Sequence, residues 1–175
     1  MLSSDNISWL KRLSNQERIQ IVPYNPRTKT IFDVERKYIR SILGNRVRIV
    51  HRGATSLKIS GQGDVDLYIP VSLKDFDPYL SKLITVYGKP GSLYPTERAK
   101  FNIVRSSIPV EIILINTATD AWTKGLAFEH YLKSHPKELN AYRDLKEKCD
   151  GVDLREYYTK KTEFINNILN KIVVL

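Results

Sequence analysis

The sequence predicts an α+β protein. Between residues 19 and 115 apolar residues alternate at a period of two in short stretches, the mark of half-buried strands. Two stretches of period 3.6 are interleaved with them, and from Asp120 onward the helical period takes over completely. Strands mixed with helices and followed by a run of helices is the α+β pattern.

Ile19 to Tyr24 reads as a short strand ended by Pro23 and Pro26. Ile31, Val34, Tyr38 and Ile42, with Ile39 and Leu43, predict a helix over residues 28–43 that Gly44 closes. Val47, Ile49 and His51 alternate with Arg46, Arg48 and Arg52 in a second strand. Val65, Leu67 and Ile69 alternate with Asp64, Asp66 and Tyr68 in a third. Residues 76–87 read as a helix with Pro78 in its first turn and Gly88 at its exit. After the Pro90-Gly91 loop, Phe101 to Arg105 and Pro109 to Ile115 form an expected hairpin around Ser106-Ser107. The C-terminal helices are marked by Trp122 to Leu132, by Leu139 to Cys149 after the His135-Pro136 break, and by Tyr158 to Ile172.

A chain of 175 residues is one ordinary domain, or a core at 1–118 with a helical region at 119–175 packed on or beside it. The single cysteine, Cys149, excludes a disulfide framework and a cysteine zinc site, and fits a cytoplasmic protein. The first residues lack the basic-then-apolar pattern of a signal peptide, and Val110 to Ile115 is too short to span a bilayer, so no membrane partner is expected. The net charge of +9 is uneven: residues 1–62 hold 12 Lys and Arg against 4 Asp and Glu, the remainder 16 against 15. Such a field guides polyphosphate or nucleic acid, or merely solubilises the chain.

The chemistry centres on residues 51–67. Asp64 and Asp66, two apart on a strand, place both carboxylates on one face. Their repulsion calls for a cation, and Mg²⁺ is the hard ion that a few carboxylates and substrate phosphates hold. Glu111, a charge inside the apolar run Val110 to Ile115, completes the cluster if its strand lies beside the first, and could hold a second ion with it. Asp64 after Gly63 also reads as a turn residue, and Glu111 as an exposed edge-strand residue. Gly53-Ala54-Thr55-Ser56 forms a small-residue turn whose backbone N–H groups can approach phosphate oxygens. His51 either orients a phosphate or is a buried, satisfied histidine. His130 and His135 have no metal-ligand spacing.

A glycine turn, an Asp-x-Asp strand and a third acid on a later strand resemble the DNA polymerase beta nucleotidyltransferase superfamily. Within it the chain resembles the GrpB family. The resemblance rests on Val22-Pro23-Tyr24-Asn25-Pro26, on His51-Arg52-Gly53-Ala54-Thr55-Ser56 against a His-x-Gly-Ser-Thr motif, and on Gly61-Gln62-Gly63-Asp64-Val65-Asp66-Leu67. Segments beginning at Phe128, Tyr142 and Tyr158 resemble the family's helical tail. It implies a polymerase beta-like mixed sheet with flanking helices and a C-terminal helical region. It also implies Mg²⁺-dependent transfer of a nucleoside monophosphate from a nucleoside triphosphate such as ATP to an unidentified hydroxyl or phosphate acceptor. The catalytic and metal residues would be Asp64, Asp66 and Glu111. The nucleotide would meet Gly53, Ala54, Thr55, Ser56 and His51. Lys146 and Lys161 match recurring lysines of the tail and can reach a triphosphate, or lie on a solvated helix face. Ala54 stands where the motif has serine, so a binding module for nucleotide or RNA without turnover is the alternative. A toxin–antitoxin-type partner protein is the third reading.

Overall fold

The computed structural model describes residue 2 and residues 4–173. Helix α1 (Ser4–Lys11) precedes an irregular segment and α2 (Arg27–Leu43). Strand β1 (Val50–Arg52) runs straight into the four-residue helix α3 (Gly53–Ser56), and β2 (Val65–Val71) leads into α4 (Leu73–Tyr87). Then follow β3 (Ser92–Tyr94), β4 (Arg98–Arg105), β5 (Ile108–Asn116) and three helices, α5 (Asp120–Ser134), α6 (Pro136–Lys148) and α7 (Leu154–Val173). The class is α+β as the sequence implies, with a five-stranded sheet ordered β1-β2-β5-β4-β3. It is mixed: β2 and β5 are parallel and every other pair is antiparallel. No described helix is long and apolar enough to cross a membrane.

One face of the sheet makes the main core. Val65, Leu67 and Ile69 of β2, Ile112 and Leu114 of β5 and Ala99 and Phe101 of β4 meet Phe32 and Ile39 of α2 and Phe76 and Leu83 of α4. On α2 the buried stripe is Ile31, Phe32, Glu35, Ile39 and Leu43. Val34 and Tyr38, expected on that stripe, are exposed. The buried Glu35 is held by Arg105 Nε at 2.8 Å and the Tyr87 hydroxyl at 2.7 Å. The opposite face receives α5, whose Trp122 packs on Ile113 and Ile115. The last three helices also close over the α3 turn, where Ala54 and Ile59 join Phe128, Leu132, Tyr142 and Ile168.

Several expectations are corrected. Ile19 to Tyr24 is no strand; isolated bridges tie Arg18 to Asp153 and Val22 to Gly61, and Pro23 and Pro26 offer no N–H to extend either. The strand expected from Arg46 pairs only from Val50. Val47 and Ile49 are buried as their alternation implies, but continuing the register sets Arg48 opposite Pro70, which lacks an N–H. Helix α4 begins at Leu73 behind Ser72, whose hydroxyl donates to Asp75 Oδ2 at 2.6 Å, so Pro78 lies inside the helix rather than in its first turn. Strand β4 starts at Arg98 instead of Phe101, and α1 and β3 were not foreseen. The hairpin forms as expected: Ser106 and Ser107 take φ of 48° and 66°, the left-handed pair that a two-residue turn requires.

Candidate active site

Strand register builds the site on the face opposite the main core. Arg52 of β1, Asp66 of β2, Glu111 of β5 and Asn102 of β4 lie side by side in one row across the sheet. Asp64 sits just ahead of β2, and one carboxylate oxygen from each of Asp64, Asp66 and Glu111 lies within 4.8 Å of the others. The parallel pairing of β2 with β5 sets this arrangement, because it puts Glu111 directly beside Asp66. Burial, then the charges of Asp64 and Glu111, push the Asp66 carboxyl up to about 8.

The turn ahead of this row needs a glycine. Gly53 has φ of +75°, and a Cβ there would come within 1.8 Å of Asp66 Oδ2. The backbone at Gly53 therefore presses onto the carboxylate as no other residue would allow. Gly53, Ala54, Asp64, Asp66 and Glu111 line one pocket of about 320 Å³, within the roughly 300–1,000 Å³ typical of small-molecule sites.

Two lysines from the helices face the acids across that pocket. Lys146 of α6 is buried, with its ammonium 3.4 Å from the Tyr157 hydroxyl and 5.0 Å from the centre of the Tyr142 ring. Burial, then Lys161, push it down to about 7. Lys161 of α7 lies over the rings of Tyr157 and Tyr158, at 5.7 and 5.2 Å. Burial opposes its charge, yet the tyrosine oxygens around it and Asp66 hold it above the ordinary lysine range.

The structure separates the remaining sequence-derived candidates. His51, Thr55 and Ser56 line a different concavity, on the other side of the turn, together with Tyr24 and Lys58. The Thr55 hydroxyl donates to the backbone carbonyl of Asp64 at 3.0 Å and lies 3.0 Å from His51 Nε2. The Ser56 hydroxyl donates to Glu129 Oε1 at 2.8 Å. None of the three lines the acidic pocket itself.

Two residues escaped the sequence reading. Lys100 of β4 binds Glu111 Oε1 at 2.7 Å, so the third acid already carries a cation. Arg-Ala-Lys-Phe at 98–101 alternates charged and apolar residues, and extending the strand back to Arg98 would have exposed Lys100 as a site-face residue. Arg52 donates from Nε to Glu129 Oε2 at 2.7 Å, with both side chains about nine-tenths buried, and its guanidinium lies over the Tyr68 ring at 4.7 Å. Gly125 makes room for it: a Cβ there would stand 2.7 Å from Nη2. The clip joins the end of β1 to α5. Its only sequence signal is that Arg52 falls at the variable position of the His-x-Gly motif.

A curated relative, the glutamate-rich protein GrpB of Alkalihalophilus pseudofirmus, is 25% identical over 174 residues, covering 90% of this chain and 97% of that protein. The crystal structure of the conserved protein GrpB from Enterococcus faecalis superposes with a TM-score of 0.68 at 18% identity, over 87% of this chain and 98% of that one, so the two share a fold. The Cid1 poly(U) polymerase is more remote, with a TM-score of 0.49 at 14% identity over 81% of this chain and 45% of that one, too slight to establish a common fold. The family pattern described as GrpB protein matches residues 18–171, nearly the whole chain. The chain is a member of the GrpB family.

Proposed function

We propose that the chain is a Mg²⁺-dependent nucleotidyltransferase that moves a nucleoside monophosphate from a nucleoside triphosphate to a hydroxyl or phosphate acceptor. The carrying observation is the three-carboxylate cluster, all within 4.8 Å, facing two lysines across one pocket. The donor set fits a hard divalent cation: three carboxylates, one of them pushed to about 8 by burial and then by its acidic neighbours, favour the charged form only when a cation joins them. A Mg²⁺ held by Asp64, Asp66 and Glu111 would supply charge neutralisation at the reacting phosphate.

The chain's own groups perform the rest. Lys146 and Lys161 offer positive charge to the polyphosphate, and the Gly53-Ala54 backbone borders the same space. The acceptor oxygen forms a new bond to the α-phosphorus. The bond between that phosphorus and the oxygen bridging to the β-phosphorus breaks, and pyrophosphate leaves with the electron pair. The acceptor's proton passes to a carboxylate of the cluster. Residues 1–118 contribute the acids and residues 119–175 the lysines, so the helical region acts as the cover of the site.

Thermal shift with each of the four common nucleoside triphosphates, with and without Mg²⁺, tests this reading. At least one triphosphate raises the Tm of the native chain when Mg²⁺ is present, by about 2.7 kcal/mol of added stability at a hundredfold excess over Kd, and Asp66→Asn abolishes the gain. A folded protein that no triphosphate stabilises would end the proposal. Ala54, with Thr55 and Ser56 engaged elsewhere, favours one second reading, nucleotide binding without turnover. Binding with no pyrophosphate released would select it.

A further inference from the structure

The site face of the sheet does not end at Glu111. In the next two rows Tyr68, Ile113 and Lys100 lie side by side, then Ile115, Arg98 and Tyr94. A groove of about 560 Å³ runs along these rows, bounded by β3 and β4 on one side and by Trp9 of α1 and Tyr158 of α7 on the other. It shares Lys100, Glu111 and Lys161 with the acidic pocket, so the two form one trough whose arms meet at Glu111.

The lining of this second arm has a definite chemistry. Among the described residues that line it, Arg98, Lys100 and Lys161 meet one carboxylate, Glu111, which Lys100 already pairs. Trp9, Tyr68, Tyr94 and Tyr158 interleave with these cations. Tyr94 is 46% exposed and belongs to none of the buried clusters, and the Arg98 guanidinium lies 4.9 Å from its ring centre. A core residue would not be left in this state. Cations set beside an exposed aromatic ring, Tyr94, with partly buried rings along the same wall, recognise a ligand that carries both phosphate charge and flat rings, and unpaired bases are the rings free to stack.

We propose that this groove holds the acceptor, and that the acceptor is the end of a single-stranded polynucleotide whose terminal hydroxyl reaches the carboxylate cluster. The acceptor role rests on the nucleotidyltransferase reading above; binding in the groove does not. Bases stack against Tyr94 and the neighbouring aromatics while Arg98 meets the phosphates.

Fluorescence anisotropy of a short labelled oligo(U) with the full chain at low salt tests the groove. Tyr94→Ala weakens binding about tenfold, the loss of one stacked base, whereas Tyr94→Phe binds as the native chain does. Arg98→Ala weakens binding and lowers the slope of log affinity against log salt by about one phosphate contact. Tyr94→Ala keeps the native triphosphate-dependent thermal shift, which shows that the variant is folded. Unchanged oligo(U) affinity in both Tyr94→Ala and Arg98→Ala overturns the proposal. So does displacement of the labelled strand by inorganic polyphosphate as readily as by unlabelled oligo(U), because charge alone would then explain binding. A triphosphate shift without oligo(U) binding removes the groove and leaves the nucleotidyltransferase reading. Oligo(U) binding that depends on Tyr94, without any triphosphate shift, keeps the groove as a binding site and removes the transfer reaction and with it the acceptor role.

Discussion

The two faces of the sheet come from the same strands and differ at every second residue. On β2, Val65, Leu67 and Ile69 are fully buried against α2 and α4, while Asp66 and Tyr68 between them face the pocket. On β5, Ile112 and Leu114 go to the core and Glu111 to the acids. One face gains stability from packing. The other gathers like charges: burial, then the charges of Asp64 and Glu111, raise the Asp66 carboxyl to about 8, an arrangement that opposes folding unless a cation relieves it. Around the acids, side-chain parity thus separates the main core from the candidate chemistry, although further along β5 the site face also packs Ile113 and Ile115 on Trp122. Neighbouring residues such as Asp66 and Leu67 should respond to substitution in opposite ways.

Leu67→Ala gives the largest effect on the packed face. Its side chain is fully buried, so its truncation costs about 2–5 kcal/mol, read from the shift of a denaturant midpoint at constant slope. Asp66→Asn, one residue away, keeps the fold and loses the Mg²⁺-dependent triphosphate response. If the two variants were equally unstable, the separation of the faces would be wrong.

Ala54→Ser probes the site face more gently. Ala54 borders the pocket, and a Cβ on Gly61 would come within 2.5 Å of its own Cβ, so a serine hydroxyl there is turned away from Gly61. A hydrogen bond to a charged phosphate is worth about 1.5–3 kcal/mol, or roughly 10- to 150-fold. Triphosphate affinity by calorimetry should tighten within that range. No gain would mean that the Gly53-Ala54 backbone and the lysines already satisfy the phosphates.

What could be read in advance follows from the kind of signal each residue leaves. Asp64 and Asp66 were legible because two like charges fall on one face of a strand, and Glu111 because it interrupts an apolar run. Lys100 was not, because Arg98 to Lys100 looks like a charged loop until its register with β5 is known. Lys146 was ambiguous because α6 has few apolar residues, and only packing against α7 and the turn buries it. The partition of residues 51–56 was hidden for a geometric reason. Gly53 takes a positive φ and a short helix follows, so neighbours in sequence point to opposite sides of the turn.

His51 provides the smallest test of the same comparison, since it lies behind the turn and acts on the site only through Thr55. Its ring stacks on Phe32, with centroids 4.6 Å apart and planes 12° apart. The Thr55 hydroxyl spends its proton on the Asp64 carbonyl, so the 3.0 Å contact with His51 requires the Nε2–H tautomer as donor. Burial pushes the imidazole down from 6.5 to about 4. The folded chain therefore holds His51 neutral in a range where the unfolded chain binds a proton. The stability it contributes is complete above pH 6.5 and is lost as pH falls toward 4. With the ring only half-buried, solvent screening limits the effect to on the order of 1 kcal/mol. His51→Phe keeps the stacking and removes the titration, so the difference between its melting curves and those of the native chain should shrink across that window. A constant difference from pH 6.5 to 4 would mean that His51 titrates alike in both states and does not stiffen the turn as a neutral donor.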